Sequence, residues 1–242
     1  MPCRLHIFGA SGSGVTTLGR ALATDWSVPC HDTDDYYWLP TKPAFQEKRD
    51  VPERIALMEK LFLSRSAWVL SGSLISWGTP LVPYFEAVVF VSLNSEIRLS
   101  RLKAREAARY GKQAIEPGGS RHKAFQDFMA WNAKYEDPDF TGRSRASHET
   151  WIANLSCPVI RVDSQQPVRD LVAKVTSELS GLGDQFSAPS TPSNPLSRVL
   201  LRSADPGQRS TQSSRAALLD KSDQNALSSD ETDKSNSCFC DK

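Results

Sequence analysis

Short apolar runs alternate with amphipathic segments over residues 1–180. Strand-like runs lie at residues 4–8, 28–31, 68–70, 87–91 and 158–162. The run at 87–91 reads Ala-Val-Val-Phe-Val without interruption, which is typical of a parallel strand covered on both faces. Strands that alternate with helical segments predict an α/β fold with a parallel sheet.

Helical patterns occupy most of the intervals between these runs. The first helix is predicted over residues 15–25, where Leu18 and Leu22 lie four residues apart on one core-facing stripe. Pro52 suits the first turn of a second helix, and Asn94 is a typical N-cap for a third. Further helices are predicted over residues 121–136 and 168–179.

The composition changes after residue 182. Residues 183–242 are rich in Ser, Pro, Asp, Asn and Gln, and their aromatic residues are Phe186 and Phe239. Such a segment buries too little apolar surface to offset its chain entropy. We therefore predict a folded domain over residues 1–182 and a disordered Ser-rich tail over 183–242. The tail is either a solvated extension or a segment that is phosphorylated or binds a protein partner.

Charge and composition argue against several classes of protein. The 29 Lys and Arg residues nearly balance the 28 Asp and Glu residues, and a formal net charge of +1 disfavours broad binding to nucleic acid or membrane surfaces. The sequence has no apolar run of the ~18 residues that a transmembrane helix needs. The N-terminus enters a strand pattern at once and does not resemble a signal peptide. We expect a cytoplasmic protein.

The cysteines do not indicate a metal site. Cys3, Cys30, Cys157, Cys238 and Cys240 lack the paired spacing of a zinc site. In a cytosolic protein we expect these thiols to be reduced.

The most informative stretch joins the first strand to the first helix and reads GASGSGVTT. Its glycines let backbone N–H groups approach an anion, and the new helix adds its N-terminal dipole at the same place. The spacing matches the phosphate-binding motif GxxxxGK[ST], with Thr16 at the position whose hydroxyl binds Mg²⁺. Val15, however, stands where the motif has Lys. The predicted nucleotide-binding residues are Gly9, Ala10, Ser11, Gly12, Ser13, Gly14, Val15, Thr16 and Thr17.

Three interpretations of this loop remain open. It is a phosphate loop that binds nucleotide without the lysine, a decayed loop that binds weakly or not at all, or a glycine-rich dinucleotide fingerprint. The last requires G-x-G-x-x-G, whereas Gly12-Ser13-Gly14 is followed by Val15 and Thr16. The density of Ser and Thr residues favours a triphosphate cradle.

With this loop in place, residues 4–180 resemble the nucleoside-monophosphate-kinase-like branch of P-loop kinases, which includes adenylate, shikimate and gluconate kinases. The segments HDTDDYYWLP, WVLSGSLISWG and VVFVSLNSEIRLSRLKARE are more closely similar to adenylate-kinase-like ATPase proteins. The resemblance implies a three-layer P-loop fold with a five-stranded parallel sheet and a helical lid at about residues 105–142. In that group Thr stands at the position of Val15, so the missing lysine is a trait of the group.

In this class, the second strand leads to an Asp-x-Asp segment. Carboxylates at the carboxyl edge of a parallel sheet can hold Mg²⁺ through water or accept the proton of an acceptor hydroxyl. We assign Asp32, with Thr16, to the metal, and Asp34 to catalysis and acceptor binding. The alternative is that both carboxylates face solvent and cap a turn. The resemblance also places acceptor contacts at Ser73 and Trp77. Tyr37 is a further candidate, which either stacks on a base or sugar of the acceptor or packs in the wall of the site.

Arginines follow one face of the helix after the fourth strand, at positions 98, 101, 105 and 109. In the adenylate kinase family, arginines that flank the lid close over the phosphates. We therefore take Arg101, Arg105 and Arg143 as candidate catalytic residues. The alternative is a solvated basic face.

Together these features favour a phosphotransferase that binds ATP and Mg²⁺ and transfers phosphate to a nucleotide or a small metabolite. The alternative is a non-enzymatic nucleotide-binding or interaction protein. Val15 and the long tail favour this alternative. No nucleic-acid or membrane partner is expected.

Overall fold

The computed structural model describes residues 3–42 and 45–182 of the chain. Five strands form one sheet in the order β2-β3-β1-β4-β5, and every neighbouring pair is parallel. This confirms the predicted five-stranded parallel sheet with helices around it. The strands are β1 (Arg4–Gly9), β2 (Cys30–Asp32), β3 (Trp68–Ser71), β4 (Ala87–Ser92) and β5 (Val159–Asp163).

Eight α-helices lie in the described residues. They are α1 (Val15–Trp26), α2 (Thr33–Tyr37), α3 (Val51–Met58), α4 (Ser95–Tyr110), α5 (Lys112–Ile115), α6 (His122–Ala133), α7 (Arg145–Ala153) and α8 (Val168–Gly181). A π-helical turn, Glu59–Leu63, continues α3, and 3₁₀ turns lie at Thr79–Tyr84 and Lys134–Glu136. Of the eight, α2, α5 and α7 were not anticipated from the sequence pattern. Across these same residues, no helix is both long and apolar enough to cross a membrane.

The second strand begins later than predicted. The prediction placed it at residues 28–31, but Val28 donates its backbone N–H to the carbonyl of Ala23 and so closes the end of α1. Ser27 adopts a left-handed conformation there, with φ 53°. β2 therefore starts at Cys30. The predicted tail over residues 183–242, and its proposed partner, lie outside the described residues.

Apolar side chains cover both faces of the sheet. On one face, α1 and α8 pack on β1 and β4 through residues such as Leu18, Leu22 and Val175. On the other face, α3 and its π-helical turn pack on β3 through Met58 and Phe62. Because both faces are buried, the loops at the carboxyl edge of the sheet are the places left for chemistry.

Two histidines lie inside this core. His6 on β1 is fully buried, stacks against Phe8 and Phe85, and lies with its Nδ1 3.1 Å from the carbonyl oxygen of Leu70. Burial lowers the pKa of His6 from 6.5 to about 3. His148 on α7 is also fully buried, and burial lowers its pKa well below the usual value. Both side chains are therefore neutral in the folded protein near pH 7.

This arrangement predicts a loss of stability in mild acid. The pKa of His6 is lower in the folded than in the unfolded chain, so the unfolded chain binds more protons between pH 6.5 and pH 3. The contribution of neutral His6 to the free energy of unfolding is therefore largest above pH 6.5 and decreases as the pH drops below that value. His6 should lower the free energy of unfolding by roughly 2 kcal/mol between about pH 7 and pH 5, and the lowered pKa of His148 acts in the same direction. Urea denaturation at the two pH values measures this.

The variant His6→Asn isolates the contribution of His6. Its pH dependence between pH 7 and pH 5 should be shallower than that of the wild type, even though the lost stacking lowers its stability at both values. His122→Asn, at a histidine outside the core clusters, serves as the control. An unchanged pH dependence in His6→Asn would contradict the assignment.

Candidate functional site

The loop between β1 and α1 has the backbone geometry of an anion cradle. Gly12 and Gly14 adopt left-handed conformations, with φ 80° and 89°, and Gly14 is the N-cap of α1. Side chains other than glycine rarely adopt these angles. The first N–H groups of α1 have no partner within the helix, so the loop and the helix start offer backbone donors together. This arrangement suits phosphate oxygens.

The packing of the loop explains why Gly12 has no side chain. A Cβ there would lie 2.8 Å from Cγ of Leu102 and 3.0 Å from the carbonyl oxygen of Arg98. Helix α4 therefore rests directly on the loop.

Val15 turns into the protein and away from solvent. Its side chain is only 4% exposed and belongs to the apolar cluster between α1, α8 and the sheet. One methyl group lies 3.3 Å from the position that a Cβ at Gly9 would take. The side chain that replaces the lysine of the motif thus fills space behind the loop and offers no charge to a ligand.

Ser13 carries a buried hydroxyl inside the loop. The residue is fully buried, and its Oγ has no hydrogen-bond partner among the described residues. Buried hydroxyls usually have a partner. An unpaired hydroxyl within this loop could accept a bond from, or donate one to, a ligand oxygen.

The two predicted metal residues lie together. Thr16 Oγ1 is 3.5 Å from Asp32 Oδ2, at the start of α1 and the end of β2. The other oxygen of Asp32 accepts the backbone N–H of Asp34 at 3.0 Å and caps α2, which fixes the carboxylate. Within residues 3–42 and 45–182, no group of three His, Cys, Asp or Glu residues could hold a metal. Mg²⁺ commonly takes one or two protein oxygens and completes its shell with water and phosphate. The Thr16–Asp32 pair fits that pattern.

Asp34 and the aromatic residues form the other side of the site. Asp34 is buried, and Tyr37 and Trp77 lie with their ring centroids 6.1 Å apart. The guanidinium of Arg54 lies 3.8 Å from the Tyr37 ring centroid and 5.2 Å from that of Trp77. Ser73 is half-buried just after β3. Two of the predicted acceptor residues, Tyr37 and Trp77, therefore lie against a cation that was not predicted from the sequence.

A signal for Arg54 was present in the sequence. Arg54 lies four residues before Met58 and next to Ile55, and so falls on the apolar face of α3. An arginine on a buried stripe is unusual without a specific partner. Here Nε of Arg54 donates to the carbonyl of Arg49 at 2.6 Å, and the aromatic rings cover its faces.

Two arginines reach the loop at Ser11. Arg143 donates to Ser11 Oγ, and its guanidinium lies 5.3 Å from the ring centroid of Trp131. Arg98 donates to the Ser11 carbonyl at 3.3 Å. Arg143 was among the predicted catalytic residues, whereas Arg98 was noted only as part of the arginine stripe.

The other two predicted arginines have different neighbours. Arg101 is exposed and donates to the carbonyl of Ser164 at 3.3 Å. Ser164 is near the end of the loop, since its Cβ is 4.0 Å from where a Cβ at Gly14 would lie. Arg105 lies 3.5 Å from the carboxylate of Glu106. Arg101 is thus beside the end of the loop, whereas the guanidinium of Arg105 lies 5.8 Å from the ring centroid of Phe128 on α6.

Comparison with known proteins gives one relative by sequence and several structural neighbours. No family model matches the chain. A shikimate kinase from Acinetobacter baumannii, in complex with shikimate, has a TM-score of 0.46, is 19% identical, and covers 77% of this chain and 96% of its own. A gluconokinase from Sinorhizobium meliloti 1021 has a TM-score of 0.43, is 20% identical, and covers 76% and 95%.

The sequence relative comes from Bacillus subtilis (strain 168) and bears the name Uncharacterized protein YqaC. It is 42% identical over 180 residues, which are 74% of this chain and 99% of that protein. At this identity and coverage, the chain belongs to the YqaC family.

Proposed function

We propose that the protein is a phosphotransferase that moves the γ-phosphate of ATP to a nucleotide or small-metabolite acceptor. The observation that carries the proposal is the meeting of three groups at one loop. Thr16 and Asp32 lie 3.5 Å apart at its end, Arg143 contacts Ser11 in the loop, and the backbone at Gly12 and Gly14 adopts left-handed conformations. Phosphoryl transfer needs positioning and charge neutralisation, and these groups supply both.

The loop and Arg143 share the work of binding the triphosphate. The backbone donors and the dipole of α1 supply about half a unit of positive charge. A guanidinium adds a full charge and two parallel donors. Because Val15 adds none, Arg143 is the cation best placed to replace the lysine of the motif.

Thr16 and Asp32 would hold Mg²⁺, directly or through water. The ion, when bound, neutralises charge on the phosphate oxygens. Asp34, on the next turn of chain, would accept the proton of the acceptor hydroxyl as the phosphate is transferred. Tyr37 and Trp77 would flank the acceptor, and Arg54 between them would favour an acceptor that carries an anionic group.

A second candidate function is nucleotide binding without catalysis. Val15 favours it, because the side chain is apolar and faces inward where kinases of this type have a cation. The two candidates differ in turnover and not in binding. Incubation of the protein with ATP, Mg²⁺ and a panel of small acceptors, followed by assay for ADP, decides between them.

Asp34→Asn should abolish transfer but leave nucleotide binding intact. The amide keeps the shape of the side chain but cannot accept the proton, so we expect a loss of about 10²–10⁴ in rate. Steady-state kinetics with the best acceptor of the panel, together with ATP titration, give both quantities. Asp35→Asn is the matched control, since Asp35 is the exposed carboxylate next in sequence. Unchanged turnover in Asp34→Asn would remove Asp34 from the mechanism.

Arg143→Ala should weaken ATP binding more than AMP binding. A charge-assisted hydrogen bond is worth roughly 1.5–3 kcal/mol, which corresponds to about a 10–150-fold loss of affinity. Arg101→Ala and Arg105→Ala should weaken ATP binding less, since their side chains have other partners. Calorimetric titration with ATP and with AMP at fixed Mg²⁺ measures the three variants.

Val15→Lys tests whether a positive charge placed in the loop can replace the charge of Arg143. In the Arg143→Ala background it should restore part of the ATP affinity, because it returns a cation to the loop. The substitution also places an ammonium at a site that is only 4% exposed, so thermal unfolding must accompany the titration. Equal ATP affinity in the wild type and Arg143→Ala would show that Arg143 is only a structural residue.

A further inference from the structure

We infer that Arg98 is a positioning residue that fixes Arg143 against the phosphate loop. The effect of Arg98 on ATP affinity rests on the proposed function. Arg98 lies on α4, and its side chain is fully buried. Its Nη1 donates to the carbonyl of Ser11 at 3.3 Å, and its Nη2 donates to the carbonyl of Asn132 at 2.9 Å. One guanidinium therefore joins the loop to the last turn of α6.

The burial of this guanidinium makes the geometry specific. A charged group removed from water is stable only when hydrogen bonds replace its hydration. The planar fork of arginine presents its donors at fixed angles, so two carbonyl acceptors on different elements fix each other's positions. The ring of Tyr135 covers the guanidinium, with its centroid 5.0 Å away.

A chain of contacts leads from Arg98 to Arg143 and returns to Ser11. Asn132 directly follows Trp131, whose ring lies against the guanidinium of Arg143 at 5.3 Å. Arg143 then donates to the hydroxyl of Ser11, the residue whose carbonyl Arg98 holds. Ser11 is thus held by one arginine through its backbone and by the other through its side chain.

The contacts between Arg98, Arg143 and Ser11 matter because Val15 stands where the motif has a lysine. A lysine of the motif is part of the loop, so its position follows from the loop itself. Arg143 lies 132 positions from Ser11 in sequence, and its position must be set by packing. Arg98 helps to set the position of Arg143, because it donates both to the loop and to the turn of α6 that carries Trp131, the ring against which Arg143 packs.

The first arm of the test uses the protein without ligand. Hydrogen exchange is measured by mass spectrometry in the wild type, Arg98→Met, Arg98→Lys and the control Lys103→Met, which removes an exposed charge from the same helix. Arg98→Met should speed exchange in both segments 10–14 and 140–146, and Lys103→Met in neither. Arg98→Lys should be intermediate, since it keeps the charge but loses the fork. It also decides the question if Arg98→Met does not fold.

The second arm measures ATP affinity at fixed Mg²⁺ in a double-mutant cycle with Arg143→Met. Arg98→Met alone should weaken ATP binding by roughly tenfold or more, the size of a lost charge-assisted bond. In the Arg143→Met background it should add less than about twofold, because coupled residues are not additive. AMP affinity should change little in either background.

The outcomes separate this inference from the proposed function. If exchange in Arg98→Met matches the control in both segments, or if the two arginine substitutions weaken ATP binding additively, Arg98 does not act through Arg143. If the wild type binds no ATP, the proposed function fails. The exchange experiment still decides whether Arg98 holds Arg143 and the loop together.

Discussion

The close packing of α4 against the loop between β1 and α1 is the contact on which the rest of the candidate site depends. Gly12 has room for no Cβ, because Leu102 and the carbonyl of Arg98 lie within 3.0 Å of where it would be. Without that approach, the guanidinium of Arg98 could not reach the Ser11 carbonyl. Without the left-handed backbone at Gly12, the loop could not turn beneath the helix. One glycine thus connects the shape of an anion cradle to the element that supports it.

The parallel sheet could be predicted from the sequence because strand-like runs alternate with helical segments, and β3 and β4 are almost entirely apolar. The pairing of Thr16 with Asp32 also follows from sequence, since the carboxyl ends of β1 and β2 meet at one edge of a parallel sheet. The start of β2 could not be predicted. It depends on a backbone hydrogen bond that takes Val28 into the end of α1, and Val28 itself is as apolar as any strand residue.

The spacing of the arginines on α4 does not predict which of them reaches the loop. Positions 98, 101, 105 and 109 share a helical face, but the buried residues of α4 are Arg98, Leu102 and Glu106. Two of these three are charged, so the apolar stripe that normally marks the buried face is absent. Rotation of the helix by a fraction of a turn decides which arginine meets the loop. That rotation is set by the contact of Leu102 with Gly12, which is a tertiary interaction.

Arg54 was missed for the same reason. Charge is normally taken as a sign of exposure, yet a guanidinium can be buried where carbonyl oxygens and aromatic faces receive it. Arg54 lies against Tyr37 and near Trp77, and Arg98 lies against Tyr135. Tyr, Trp and Arg were each visible in the sequence, but only the fold shows that they meet.

The support behind Arg98 continues into the core of the domain. Burial raises the pKa of Tyr135 to about 12, so its phenol keeps its proton, and its oxygen lies 2.7 Å from Nδ1 of His148 in a hydrogen bond. Burial lowers the pKa of His148 well below its usual value, so its imidazole is neutral in this contact. His148 packs edge-on against Phe8 of β1 and Phe90 of β4. The same tyrosine therefore contacts a neutral core histidine and a buried arginine. Conditions that protonate His148 would act on the sheet and on the support of the loop between β1 and α1 at once.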